Sequence, residues 1–442
     1  MSLTYPRFWH QGRTLLLVSW LCATTSYAAL FFGAGYEGQG FSPRHLLIAQ
    51  LVMQACLLAA AFWSHAERLP SPVLDAEQNP RSTLRFSVIF QVGLLVLIAA
   101  VMPRWNDEVS NLHQARFLAM PGLRAWIDNY PTLNRWMGPF HPPLLTLLYG
   151  GFYTLAGSSL FAGRLFNIAF AAAALAVGAR VVRRLTDAPT AALASLCWPL
   201  WPLWLFNGAA AVLEAPFLFF ALLTIDAFLA FLEDGRASRA AWVGGWLTVT
   251  LLGRYNIALL LPGMLLVLLS AKYRPLLRRA STYLMLVVPA AVLIPAAILA
   301  AKTGLLSAQL AHLSWVLLLA RPGGVHYLVE FMLPLWPLHV GAHLLPLLLL
   351  SFGALRFGTE GERRLMLLGG VYLALVLIIL PNPRYLLPAA PFLAVGMARV
   401  LRGLERRGQG AAAVWFGVLG ATLTLTVLVI AGARIGSFYP FY

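Results

Sequence analysis

Charge is what this chain of 442 residues has least of. Asp, Glu, Lys and Arg together make up 11% of it, where a water-soluble domain carries roughly a quarter. That deficit excludes a soluble globular protein, and a content of 60% hydrophobic residues excludes a disordered one. Cysteine is scarce as well. Cys22, Cys56 and Cys197 all fall inside apolar stretches, so neither an extracytoplasmic disulfide framework nor a CxxC or Cys/His metal spacing is present. Acids are half as numerous as bases, 16 against 32, leaving a net charge of +16. In a soluble protein that excess would point to nucleic acid. Here the bases are almost all arginine, grouped between hydrophobic runs, which is how orientation in a membrane is set. No nucleic-acid partner is expected, and the nucleotide-cradling GxxxxGK[ST] loop is missing.

What is abundant is apolar sequence in runs of span length, with a mean hydropathy of +0.76. At about 20 residues per crossing, the pattern predicts an all-α polytopic membrane protein of about thirteen helices. The spans fall near 14–33, 45–65, 86–103, 161–182, 188–206 and 211–232, then a bent pair near 240–252 and 257–271. The rest lie near 282–301, 334–355, 365–380, 385–401 and 411–432. The segment 142–157 is apolar but short, opens on Pro142-Pro143 and contains Gly150-Gly151. Laying it along the outer surface puts every dense basic cluster, such as Arg180/Arg183/Arg184 and Arg399/Arg402/Arg406/Arg407, on one side. The positive-inside rule therefore gives a cytoplasmic N-terminus and an outer C-terminus, with the closing FYPFY in the outer aromatic belt. The first thirty residues read as an uncleaved span rather than a secretory signal. No internal repeat suggests a transporter built from duplicated halves.

The acidic and basic groups expected on the outer side are few. The first outer loop opens Asn106-Asp107-Glu108 just where a span ends, an acidic pair suited to function and equally to a helix start capped by Asn106. The loop continues to His141-Pro142-Pro143, and Arg164 follows a few residues inside the next span. Glu214 opens the sixth span, Arg254-Tyr255-Asn256 sits at the tip of the bent pair, and Pro383-Arg384-Tyr385 joins two later spans. Carboxylates and Arg/His groups gathered at one membrane face suit an acidic, lipid-borne substrate. Asp226 is the one carboxylate expected deep in the bilayer. Thirteen spans and basic residues at one face also permit a different class, a transporter or flippase for a lipid-linked or acidic solute, although transporters place such groups near the midplane and the other candidates crowd the outer surface.

The ordered set Asp107-Glu108, His141-Pro142-Pro143-Leu144, Arg164-Leu165, Glu214-Ala215-Pro216 and Arg384-Tyr385-Leu386-Leu387-Pro388 resembles the GT-C glycosyltransferases. Within them it is most similar to the branch of protein O-mannosyltransferases and lipid A aminoarabinose transferases. The resemblance implies a polyprenyl-phosphate sugar donor, inversion at the anomeric carbon, and an acceptor outside the cytoplasm that is a glycan, a lipid-linked glycan or a protein hydroxyl. It implies Asp107 as catalytic base with Glu108 beside it, His141, Arg164, Arg384 and Arg254 around the donor phosphate, and Glu214, Tyr255 and Tyr385 as substrate contacts. With Asp107-Glu108 in place of Asp-x-Asp, it implies no metal and no other cofactor. The organisation expected is two additional helices over 1–82, a catalytic module over 83–401 with outer segments 104–160 and 302–333, and a closing helix over 402–442.

Overall fold

The computed structural model describes residues 11–32, 43–63, 71–104, 108–109, 111–113, 115, 144–157, 159–302, 341–354, 360–379 and 383–435. Among them there is no strand, and five helices are long and apolar enough to cross a membrane. The chain is an all-helical, multi-pass membrane protein. Its α-helices are α1 (Gly12–Phe32), α2 (Pro43–Trp63), α3 (Pro72–Gln78), α4 (Pro80–Val101), α5 (Leu144–Ala156), α6 (Leu160–Leu185) and α7 (Ala188–Cys197). They continue with α8 (Pro202–Ala209), α9 (Glu214–Asp234), α10 (Ala237–Gly253), α11 (Leu261–Leu269) and α12 (Leu284–Lys302). The last are α13 (Leu345–Ala354), α14 (Glu360–Leu365), α15 (Val371–Ile379), α16 (Ala390–Glu405) and α17 (Ala411–Ile435).

The helix boundaries follow local chemistry. Asn79 ends α3 and begins α4, its Oδ1 accepting from the Ser82 N–H with Pro80 at the first helical position. Ser159 caps α6 by accepting from the Ala162 N–H at 3.0 Å, and Asp187 caps α7 by accepting from Thr190 at 2.7 Å. Gly235, at φ 65°, closes α9 in the left-handed conformation. Gly33-Ala34-Gly35-Tyr36-Glu37-Gly38 has the spacing of a dinucleotide-binding turn. These residues lie outside the described ones.

The span expected over 188–206 is broken in its middle. Pro199 and Pro202 interrupt it, giving a 3₁₀ turn over Trp198–Leu200 between α7 and α8. Carbonyls freed by the break find donors on other helices. Gln91 Nε2 donates to Ser195 O at 2.9 Å, Trp415 Nε1 to Leu196 O at 3.1 Å, and Thr422 Oγ1 to Leu200 O at 2.9 Å. Irregular backbone inside a bilayer is tolerated only when it is satisfied in this way.

Helix α4 packs on α6 and α7, α6 packs on α9 and α9 on α10, and α16 closes against α7 and α13. Helix α5 is 13 residues long, about 20 Å, well short of a hydrocarbon core of about 30 Å. It lies on α6, where Gly163 leaves the room that the Tyr153 hydroxyl occupies. The two ends of the bundle differ in charge. At one, Arg180 and Arg184 hold Asp226 at 2.9 and 2.8 Å, and Arg402 joins Glu77 to Asp187. The other is the site end.

Candidate functional site

Two buried ion clusters occupy the site end, joined by the short turn between α8 and α9. The first is Arg164 with Glu108. Glu108 is fully buried and Arg164 is 4% exposed. Arg164 Nε donates to Glu108 Oε1 at 2.8 Å and Nη2 to Oε2 at 2.7 Å, a bidentate pair. Its remaining N–H groups go to the carbonyls of Ala99, Met102 and Pro103 at 2.6 to 2.8 Å. A guanidinium has five N–H groups, and all five are engaged. Glu108 Oε1 also accepts from the Ala211 N–H at 2.7 Å. The pair therefore ties the end of α4 and the start of the first loop to the α8–α9 turn.

That turn is held from further sides. Asn167 Nδ2 donates to the Asn207 and Gly208 carbonyls at 2.8 and 2.9 Å, the last acceptors of α8. The Tyr149 hydroxyl, on α5, donates in a shared bond to Asn167 Oδ1 and Val212 O, each at 3.0 Å. Burial first, then the neighbouring Tyr153, Glu108 and Glu214, raises the Tyr149 hydroxyl well above the usual tyrosine range, so it remains a donor.

The second cluster centres on Glu214, three residues beyond Ala211 and in the first turn of α9. Arg254 Nη2, at the end of α10, donates to Glu214 Oε1 at 2.7 Å, and Arg384 Nη1 lies 3.6 Å from the same oxygen. All three side chains are more than nine-tenths buried. The Arg254 guanidinium also lies over the Tyr385 ring, 5.6 Å from its centroid, and Tyr372 Oη donates to the Tyr385 carbonyl at 2.9 Å. One carboxylate between two guanidiniums holds both cations in a region of low dielectric, where they act strongly on an incoming anion.

The structure thus brings together Glu108 with Arg164, and Glu214 with Arg254, Arg384 and Tyr385. Asp107 and His141 lie outside the described residues, as do residues 303–340, which hold nearly all of the outer segment expected over 302–333, and the closing FYPFY. Three of the expected site residues are described further. Arg164 has no N–H left for a phosphate in this arrangement, because carbonyls and Glu108 take all five. Glu108 anchors the loop, with both oxygens engaged. Tyr255 is 44% exposed, in contrast to the buried Arg254 and Asn256 on either side of it. Asp226, expected deep in the bilayer, pairs with Arg180 and Arg184 at the opposite end of the bundle. Asn167, Tyr149 and Asn256 were not anticipated as site residues, although an amide within the apolar run Leu165-Phe166-Asn167-Ile168 is itself a signal. Among the described residues, no three His, Cys, Asp or Glu side chains come together as a metal site.

Along the face below α5, aromatic rings follow one another from the site into the bilayer. Phe152 stacks on Phe166 at 4.4 Å, and Phe166 meets Phe170 at 5.1 Å. Phe170 contacts Phe219 and Phe220 at 5.6 and 5.8 Å, and Trp246 and then the exposed Trp242 continue the row at 6.1 and 5.9 Å.

The described helices form a bundle with buried cations at one end, and comparison with known proteins shows what it is similar to. Residues 140–299 match the family described as dolichyl-phosphate-mannose-protein mannosyltransferase. The fold is similar to the crystal structure of ArnT from Cupriavidus metallidurans bound to undecaprenyl phosphate, with a TM-score of 0.56 at 16% identity over 79% of this chain and 77% of that one. The apo ArnT structure from the same organism gives a TM-score of 0.53 at 14% identity, with the same coverage. No curated protein matches the sequence. The family match covers residues 140–299, and the structural matches show a shared fold.

Proposed function

We propose that the protein transfers a sugar from a polyprenyl monophosphate carrier to an acceptor hydroxyl on the outer face of the cytoplasmic membrane, with inversion at the anomeric carbon. It does so from a thirteen-span arrangement with a cytoplasmic N-terminus. The observation that carries the reading is the buried Glu214–Arg254–Arg384 cluster, joined through Ala211 to the Glu108 that follows Asp107 in the chain. The family match supports a polyprenyl-phosphate sugar as donor, and the undecaprenyl phosphate in the ArnT structure supports the carrier.

In this mechanism Asp107 accepts the proton of the acceptor hydroxyl as that oxygen bonds to the anomeric carbon. The bond from that carbon to the phosphate oxygen breaks, and the charge gathering on the departing polyprenyl phosphate is stabilised by Arg254 and Arg384, with His141 from the first loop. Glu108 and Arg164 fix the position of Asp107 without touching substrate. The acceptor is a glycan, a lipid-linked glycan or a protein hydroxyl, and the reaction includes no metal.

The test is Asp107→Asn, purified in detergent and assayed in EDTA with polyprenyl-phosphate mannose and envelope glycan or glycolipid extracts as acceptors. Turnover falls by about 10²–10⁴-fold, the usual contribution of a positioned base, while the melting temperature stays that of the parent. Wild-type turnover in this variant removes Asp107 from the role.

A further inference from the structure

Three buried side chains, Glu214, its partner Arg254 and Asn256 two residues further along the chain, carry polar atoms that no described residue meets. Among the described residues, Glu214 Oε2, Arg254 Nε, and both Oδ1 and Nδ2 of Asn256 have no hydrogen-bond partner, at exposures of 2%, 5% and 9%. Glu214 and Arg254 are at least joined to each other. Asn256 is different, since its whole amide is without a partner. Asn167 shows the contrast, with its Oδ1 and both Nδ2 bonds made.

A buried amide with nothing to bond costs about 1–3 kcal/mol on mutational evidence, and nearly all such groups in native proteins are satisfied. Nothing local asks for asparagine at this position. The 3₁₀ turn Tyr255–Leu260 takes no cap from it, and an apolar side chain of similar volume would fill the space without the cost. A group that costs stability in the empty protein is accounted for by a ligand that meets it.

The unmet atoms also define the ligand's chemistry. Two are acceptors, Glu214 Oε2 and Asn256 Oδ1, and two are donors, Arg254 Nε and Asn256 Nδ2. A phosphate dianion brings acceptors only, so it would leave both acceptors unmet and set its charge against Glu214. Adjacent hydroxyls bring both kinds, and a side-chain amide spans a vicinal pair by accepting from one hydroxyl and donating to the next.

We infer that Asn256 is a specificity-determining residue that reads two neighbouring hydroxyls of the transferred sugar, with Glu214 Oε2 accepting from a further hydroxyl. The inference rests on the donor-site reading above and deepens it: the sugar is a hydroxyl-rich pyranose held by its ring substituents, while Arg254 faces the phosphate side.

The experiment compares wild type with Asn256→Leu, and with the smaller Asn256→Ala as a guard against a steric failure. The readouts are the melting temperature of the ligand-free protein in detergent and kcat/KM with polyprenyl-phosphate mannose and its 2-, 3-, 4- and 6-deoxy analogues. At least one variant melts at or above the wild-type temperature. Both lose about 10- to 10³-fold in kcat/KM with the full donor, as expected when a site built for a hydroxyl loses its partner. With the one or two deoxy donors that lack the paired hydroxyls, the loss shrinks to a few-fold, which a purely structural role would not produce. Lower melting temperatures in both variants, or an equal loss with every donor, overturn the inference, as does wild-type kcat/KM in either. A wild-type enzyme that transfers from none of these donors overturns the donor reading itself, a result separate from any difference among the variants.

Discussion

An arginine a few residues inside an apolar span needs an anion, and Arg164 finds it 56 positions earlier in the chain. The pair is almost wholly out of water, so each charge depends on the other. Arg164→Met strands the Glu108 carboxylate and removes the donors to three carbonyls. We expect it to cost about 3–5 kcal/mol in detergent unfolding, with equal effects on donor and acceptor use in the fraction that remains folded. Adding Glu108→Gln removes the stranded charge and recovers part of the loss. A single variant as stable as wild type, or one that weakens donor use alone, would return Arg164 to the phosphate. The sequence marked every member of both clusters as charge out of place in an apolar chain, which composition alone makes visible. It could not show which acid meets which base. Glu214 and Arg254 are 40 residues apart, and the choice between a cation that holds a loop and one that faces a ligand depends on counting occupied N–H groups. Asn256 is legible in the sequence only as part of the Arg254-Tyr255-Asn256 tip for a related reason: an asparagine beside an arginine in a turn looks like turn chemistry until its burial is known.

Among the elements, helix positions follow from apolar periodicity and capping residues, but the break between α7 and α8 does not. Its prolines are plain in Trp198-Pro199-Leu200-Trp201-Pro202. What makes the break tolerable is a set of donors on α4 and α17, at Gln91, Trp415 and Thr422, and these are remote in sequence. The aromatic row on α5, α6, α9 and α10 is another property of assembled elements. Phe166 and Phe170 are one helical turn apart on α6, and Trp242 lies eleven residues before the end of α10, about 16 Å along its axis. The row begins beside Tyr149 and descends half-buried into the bilayer, a surface suited to an isoprenoid tail whose phosphate sits at the rim. Removing rings from its middle with Phe170→Ala and Phe220→Ala loses apolar contact worth about 1 kcal/mol. KM for a donor with a long polyprenyl chain should rise about five- to tenfold, while KM for a two-isoprene donor stays put. An equal rise with both donors places the tail elsewhere.

At the scale of the molecule, residues 1–82 and 402–442 read in sequence as separate additions at opposite ends of a catalytic module. The structure packs them together: α1 and α2 lie against α17, and the Gly12 N–H donates to the Gln409 carbonyl at 3.0 Å. Small residues make the approach possible. A Cβ on Gly417 would stand 2.5 Å from Ala60 Cβ and 2.9 Å from Leu16 Cδ2, and one on Gly420 would meet Cys56 Sγ at 3.4 Å. Gly417 and Gly420 on one helix facing Cys56 and Ala60 on the other is the small-residue seam that lets membrane helices pack closely. The pattern was present in the sequence, but which helix faces which was not. If these three helices brace the bundle and take no part in the reaction, damage to their seam must separate stability from turnover. Gly417→Leu pushes α17 away from α2, an overpacking that costs about 1–3 kcal/mol, and Ala60→Gly in the same chain returns part of that by giving space back. The melting temperature in detergent should fall and partly recover across the two variants. Meanwhile kcat/KM per folded molecule holds, because Glu214, Arg254 and Arg384 are carried on other elements. A fall in kcat/KM at unchanged stability would mean instead that the α1–α2–α17 unit transmits its packing to the site.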